Sequence, residues 1–317
     1  MEFDLIQKYF VPLSQATNMD LDDLFIGDDG ALVTPVADAQ LVIVTDTLVE
    51  GIHFPVGSAS YDIGWKALAV NLSDLAAMGA KPAFYSLALT LPQVDQAWLN
   101  GLAQGLADCA SPYSIPLIGG DTTRGPLTLT VTAQGWVPKG RALLRKGAKA
   151  GEGIFVTGFI GEAGRGLSLA LAGKGGDNPA DLSSLNRLNR PVPRVGLGCA
   201  LVGVASSAID VSDGLLADLN HILVASKVGA NLKSTDIPLS KPVQEWAGDE
   251  PLKPLCAGDD YELCFTASLD KVDQLYVLAE QQGVKLSQIG LISQQPGLLV
   301  DGVPLDMKKT GYNHFSG

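Results

Sequence analysis

At 317 residues the chain exceeds the roughly 250–300 residues at which one hydrophobic core stops growing, so two domains are expected. Hydrophobic residues make up 46% and charged ones 18%, against about 25% charged in a typical soluble domain. That excludes a fibrous or disordered chain and points to surface buried in an oligomer. The balance of 22 basic to 34 acidic side chains gives a net charge of −12, a field that repels a nucleic-acid backbone and excludes nucleic acid as a partner.

The N-terminal Met1-Glu2-Phe3-Asp4 lacks a basic stretch leading into an apolar one, so a cytoplasmic location is expected. No run approaches ~18 apolar residues, and Val195 to Ile209 is broken by glycines and serines, so no membrane partner is expected. Phe25-Ile26 reads as a strand ending in Gly27-Asp28-Asp29-Gly30, and Leu41 to Thr45 as a strand running into Asp46-Thr47. From Tyr61 to Met78, Trp65, Leu68, Leu72, Leu75 and Ala76 recur at helical spacing, which sets Asn71, Asp74 and Met78 on another stripe. Leu117-Ile118 reads as a strand ending in Gly119-Gly120-Asp121-Thr122-Thr123-Arg124-Gly125, and Leu127 to Val131 as the next strand.

Lys139 to Lys149 holds five basic residues and no acid, and carries the expected domain boundary, giving domains of 1–138 and 139–317. It is either a solvated linker or a cationic strip that reaches the phosphates of a ligand. Gly153 to Thr157 opens the second domain as a strand, and Asn178 to Asn189 reads as a polar connection. Ala208-Ile209 is a strand ending in Asp210-Val211-Ser212-Asp213-Gly214, followed by a helix to Ala225 for which Ser212 or Asp213 supplies the N-cap.

Glu accounts for eight of the 34 acids, leaving 26 Asp, the residue of turns, caps and hard-metal sites rather than helix faces. Four apolar runs end in aspartates, and Asp74 adds a fifth from a helix. If these converge, two like charges about 4 Å apart cost on the order of 4 kcal/mol at an effective dielectric of 20, a cost that bound Mg²⁺ relieves. Mg²⁺ takes oxygen ligands, usually one or two carboxylates together with phosphates and water. The Gly119 to Gly125 stretch combines close-approach glycines, hydroxyls and the Arg124 cation, a composition suited to phosphate. Cysteines 109, 199, 256 and 264 and histidines 53, 221 and 314 lack zinc or disulfide spacing. No phosphate loop with Gly-Lys-Ser/Thr, dinucleotide fingerprint or EF-hand is present. Taken alone, these residues fit a Mg²⁺-dependent phosphotransferase acting on a small acceptor, a phosphohydrolase using the same carboxylates, or a cation-binding protein.

The ordered motifs narrow this. Gly27-Asp28-Asp29, Thr45 to Phe54, Asn71 to Ala80, Gly119 to Pro126, Ile209 to Leu215, Gly258-Asp259-Asp260-Tyr261-Glu262-Leu263 and Gly311-Tyr312-Asn313-His314-Phe315 together resemble the thiamine-monophosphate kinase family. That family lies in the superfamily of aminoimidazole ribonucleotide synthetase and selenophosphate synthetase. The resemblance spans nearly the whole chain and implies ATP-dependent phosphorylation of thiamine monophosphate to thiamine diphosphate by direct in-line transfer. It implies a two-domain α+β, aminoimidazole ribonucleotide synthetase-like fold: an N-terminal sheet domain that binds metal and ATP and forms a homodimer, and a C-terminal α+β domain completing the cleft. By motif, Asp29, Thr45, Asp46, Asp74, Asp121, Asp210 and Asp213 hold several Mg²⁺ ions, and Gly120, Asp121, Arg145 and Ser212 contact ATP. His53, Asp259 and Tyr312 line the acceptor side, and Asp46, Asp121 and Arg145 stand nearest the transfer. The family usually has Glu where this chain has Asp259, one methylene shorter.

Overall fold

The computed structural model describes residues 2–14, 23–176 and 178–306. The chain divides into two compact units, Met1–Leu75 with Ala80–Gly140, and Ala76–Gly79 with Arg141–Gly317.

The first unit contains α1 (Glu2–Leu5), β1 (Ala39–Val49), α2 (Ser60–Ala77), β2 (Lys81–Leu91), α3 (Gln96–Ala110), β3 (Leu117–Arg124) and β4 (Thr128–Pro138). Its strands form one sheet in the order β1-β4-β2-β3, antiparallel except for β2 with β3. Along β4 the side chains alternate: Leu129, Val131, Ala133 and Val137 are buried, whereas Thr128, Thr130, Thr132 and Gln134 are half-buried on the other face. A period of two with one apolar side is what a sheet covered on one face requires. Leu68, Leu72 and Leu75 of α2 and Leu99, Leu102 and Leu106 of α3 are likewise buried. These two helices approach backbone to backbone, because a Cβ at Gly64 would lie 2.3 Å from the Leu102 carbonyl oxygen and one at Gly105 would lie 2.0 Å from that of Tyr61. The other face of the sheet carries the exposed Leu41 and Ile43 beside hydroxyl pairs, Thr45 with Thr132 at 3.0 Å and Thr47 with Thr130 at 2.9 Å.

The second unit contains β5 (Gly153–Thr157), α4 (Glu162–Leu171), α5 (Pro179–Asn189), α6 (Val195–Ala200), β6 (Ser207–Asp210), α7 (Leu215–Ser226) and β7 (Gly229–Leu232). It continues with α8 (Lys241–Ala247), α9 (Lys253–Cys256), β8 (Leu263–Ala267), α10 (Val272–Gln281), β9 (Leu286–Ser293), β10 (Gly297–Val300) and β11 (Val303–Pro304). The seven strands run β11-β10-β7-β9-β5-β8-β6. Every residue of β5 and β8 is buried, as unbroken apolar runs demand of interior strands. Ile154, Val156, Leu215, Leu219, Ile222 and Ile289 belong to the core between sheet and helices. Both units mix helices with a sheet, the α+β class that the resemblance implies.

Three local expectations are corrected. Residues 178–189 are not a polar connection: Asn178 caps α5 by accepting from the Asp181 amide at 3.0 Å, Pro179 opens the helix, and Asp181, Ser184 and Leu188 form its buried side. Phe25-Ile26 belongs to no sheet strand; Leu24 pairs only with Leu32, while Phe25 packs with Phe84 and Ile118. Asp46 and Asp121 lie within β1 and β3 rather than beyond their ends. No helix among the described residues is long and apolar enough to cross a membrane.

Candidate functional site

In the first unit, strand register fixes the acidic positions. Asp46 is level with Val131, Leu87 and Gly120 across the sheet, and Asp121 is level with Ala88 and Thr130 in the next row. Successive rows face opposite sides, and three strand spacings of ~4.8 Å separate the edge strands by about 14 Å. One chain therefore does not bring Asp46 and Asp121 onto a single ion. Asp46 shares the covered side, and burial holds its carboxyl above the usual carboxylate range. Thr45 lies on the open side, bonded to Thr132. Gly120 is required by space: a Cβ there would lie 1.9 Å from the Leu87 carbonyl oxygen. Asp121 is exposed on edge strand β3 and accepts from the Thr122 amide at 2.9 Å. Asp29 is exposed in the turn after Phe25, and Asp74 is half-buried on α2. His53 closes a turn on β1, its Nδ1 accepting from the Val49 amide at 3.0 Å, which puts the neutral ring's proton on Nε2.

The second unit gathers its site residues more closely. Asp210 ends β6, and the amides of Ser212, Asp213 and Gly214 all donate to Asp218 Oδ2, at 2.9, 3.0 and 3.1 Å. The expectation that Ser212 or Asp213 caps α7 is corrected: Gly214 is the N-cap, without a side-chain bond, and Asp218 inside the helix ties up the loop amides. Burial, then the charges of Asp210 and Asp213, push Asp218 up to about 8 against the opposing Asp213 and Ser212 amides. Arg145 is exposed, and its loop is pinned to the end of α7: Ser226 Oγ accepts from the Gly147 and Ala148 amides at 3.0 and 3.1 Å and donates to the Arg145 carbonyl. Asp259 sits in a turn with φ 68°, donating its amide to the Ser212 carbonyl at 2.8 Å and accepting from Tyr261 Oη at 3.0 Å. Tyr312 lies outside the described residues. Among the described residues, no three His, Cys, Asp or Glu side chains form a group able to hold a metal ion.

Sequence reasoning assigned no role to Asp218 or to the buried group of Asp260, Glu262, Arg187 and Arg194. A signal existed for Asp218, which falls on the stripe of Leu215, Leu219 and Ile222 at helical spacing and so had to be buried. Asp260 is buried and accepts from the Gly161 amide at 2.6 Å and the Ala163 amide at 3.3 Å at the start of α4. Burial raises its carboxyl from 3.8 to about 8. The folded chain thus holds a proton that the unfolded one releases, so this contribution to stability is full below pH ~4 and lost as pH rises through ~8. Asp260→Asn is expected to flatten part of the fall in unfolding free energy between pH 5 and 9; urea midpoints across that range check it, and an unchanged slope would contradict it.

The fold and these loops define a two-domain protein of the AIR synthase related class: its N-terminal domain model matches residues 27–137 and its C-terminal domain model residues 149–301. A thiamine-monophosphate kinase of Escherichia coli strain K12 is 44% identical over 321 residues, covering 99% of this chain and 98% of the relative. The crystal structure of a thiamine-monophosphate kinase from Stenotrophomonas maltophilia K279a superposes with a TM-score of 0.85 at 48% identity, covering 90% of this chain and 93% of the other. A structure described as AaThiL complexed with AMPPCP and TMP gives a TM-score of 0.81 at 30% identity, covering 92% of each chain. The chain belongs to the thiamine-monophosphate kinase family.

Proposed function

We propose that this chain transfers the γ-phosphoryl group of ATP to the phosphate of thiamine monophosphate, giving thiamine diphosphate and ADP. The observation that carries the reading is the loop of Asp210, Ser212 and Asp213, held by Asp218 on one side and joined through Ser212 to Asp259 on the other. A backbone hydrogen bond, from the Asp259 amide to the Ser212 carbonyl, thereby sets a nucleotide-side group beside an acceptor-side one.

The donor set fits Mg²⁺. Asp210 and Asp213 lie close enough to Asp218 to raise its carboxyl, and such crowding of hard oxygen ligands is relieved by a divalent cation. Bound ions would neutralise the phosphates and clamp the entering and leaving oxygens. Because Mg²⁺ takes one or two carboxylates and completes its shell with phosphate and water, the ions need no group of three carboxylates in advance. Asp210 and Asp213 would hold one group of ions, and Asp29, Thr45, Asp46, Asp74 and Asp121 would hold the others.

The acceptor phosphate, with a second pKa of about 6, is already an anionic nucleophile at neutral pH, so no side chain has to remove a proton. Its oxygen attacks the γ-phosphorus, and the bond to the β-γ bridging oxygen breaks, the electron pair leaving on ADP. The chain's task is positioning and charge neutralisation. Arg145, on its pinned loop, with Gly120, Asp121 and Ser212, addresses the triphosphate. His53, whose Nδ1 accepts from the Val49 amide, stands on the acceptor side, and Asp259 and Tyr312 address the cationic thiazolium ring.

Metal-bridged binding means that ATP and Mg²⁺ stabilise the fold together, by RT ln(1 + [L]/Kd). Thermal melts are expected to shift upward with ATP and Mg²⁺ and not with ATP in excess chelator; equal shifts would contradict the reading. A homodimer through the sheet of the first unit accounts for the exposed Leu41 and Ile43 and for the low charge content. Sedimentation at micromolar concentration is expected to show twice the chain mass of 33.1 kDa, and a species of 33.1 kDa alone would count against it. A cytoplasmic location, where ATP is supplied, accompanies this reading.

A further inference from the structure

Glu262 is completely buried, yet its carboxylate is fully engaged. Oε2 accepts from Thr157 Oγ1 at 2.5 Å and Arg194 Nε at 2.7 Å, and Oε1 accepts from the second arm of Arg194 at 2.6 Å and from Arg187. Replacing a buried ionic group by apolar residues is often neutral or stabilising, so net stability gives this cluster little reason to exist. Its backbone supplies one. The Val211 amide donates to the Glu262 carbonyl, the Tyr261 amide to the Val211 carbonyl and the Asp259 amide to the Ser212 carbonyl, each at 2.8 Å. Between those bonds the chain makes two left-handed residues without being glycine, Asp259 at φ 68° and Tyr261 at φ 49°. Such conformations persist only where their surroundings over-determine them. Gly258 is pressed against the same segment, with a Cβ there only 2.3 Å from the Ser212 carbonyl oxygen.

We infer that Glu262, clamped by Arg187 and Arg194, is a positioning residue that holds the 258–261 turn and so aims Asp259 at the acceptor. The inference rests on the reading of Asp259 as an acceptor contact. It also separates two effects. The amides of Ser212, Asp213 and Gly214 are held independently by Asp218, so loosening the clamp frees the Asp259 side while the nucleotide side keeps its own anchor. A purely structural cluster would lower the melting point and leave both Michaelis constants unchanged.

The test is steady-state kinetics with thiamine monophosphate and Mg²⁺·ATP on the full chain, at a temperature where circular dichroism shows each variant folded. Glu262→Gln keeps the shape and removes the charge; should it fail to fold, Arg187→Met decides, because that arginine enters from the partly exposed side of the cluster. Either is expected to raise KM for the acceptor at least five-fold with KM for ATP within two-fold, and Arg187→Lys, which keeps the charge, to recover most of the loss. Unchanged Michaelis constants, or equal rises in both, would overturn the inference. Asp259→Ala is measured alongside. Wild-type acceptor KM in Asp259→Ala would sink the reading of Asp259, whereas a raised KM there with silent clamp variants would sink the clamp alone.

Discussion

Asp121→Asn is expected to lower turnover by roughly 10²–10³-fold, about 3–4 kcal/mol of transition-state stabilisation, the scale of losing one preorganised electrostatic contact. The amide keeps the shape of the side chain on edge strand β3 and removes only its charge, so the sheet should survive. Asp121 is exposed and sits one residue beyond Gly120, whose missing Cβ lets β3 approach β2. KM for thiamine monophosphate should change much less than kcat, because the proposed acceptor contacts come from His53, Asp259 and Tyr312. Rapid-quench turnover at saturating ATP checks this, and a wild-type rate would remove Asp121 from the phosphate-handling site.

The second large effect is on folding. Gly158 has φ +60°, and a Cβ added to it would stand 2.0 Å from Glu262 Oε1. Gly158→Ala must either push the buried carboxylate off Arg187 and Arg194 or move the strand end that carries it. Breaking a buried ion pair typically costs about 3–5 kcal/mol, and a loss of that order is expected in urea unfolding. A change below ~1 kcal/mol would mean that the carboxylate can shift without losing its partners.

Much of this architecture was legible because its signals are local. The helical spacing of Leu68, Leu72 and Leu75 predicted α2 nearly to its ends, and the apolar run from Leu127 to Val131 predicted the first part of β4. Asp210, Ser212 and Asp213 fall together because four consecutive residues at a strand end cannot separate far. Signals that need pairing were not legible. Strand order decides that Asp46 and Asp121 lie on opposite edges of one sheet, and no local pattern encodes that order. Residues 178–189 read as a connection because polarity outweighed Leu182, Leu185 and Leu188 at helical spacing, although Asn178-Pro179 is a helix start. Glu262 stood inside a quoted motif, but its partners come from Thr157, Arg187 and Arg194, which lie 68 to 105 residues away along the chain. Long-range ionic pairing of that kind has no periodicity to betray it.

Phosphoryl transfer to thiamine monophosphate is tested most directly by ³¹P NMR of the protein with thiamine monophosphate, ATP and Mg²⁺. The expected result is loss of the monoester signal, growth of a diphosphate pair assigned to thiamine diphosphate, and ADP formed in equal amount. Release of inorganic phosphate with the acceptor left unconverted, or hydrolysis of the acceptor itself, would contradict it and turn the same carboxylates into the machinery of a hydrolase.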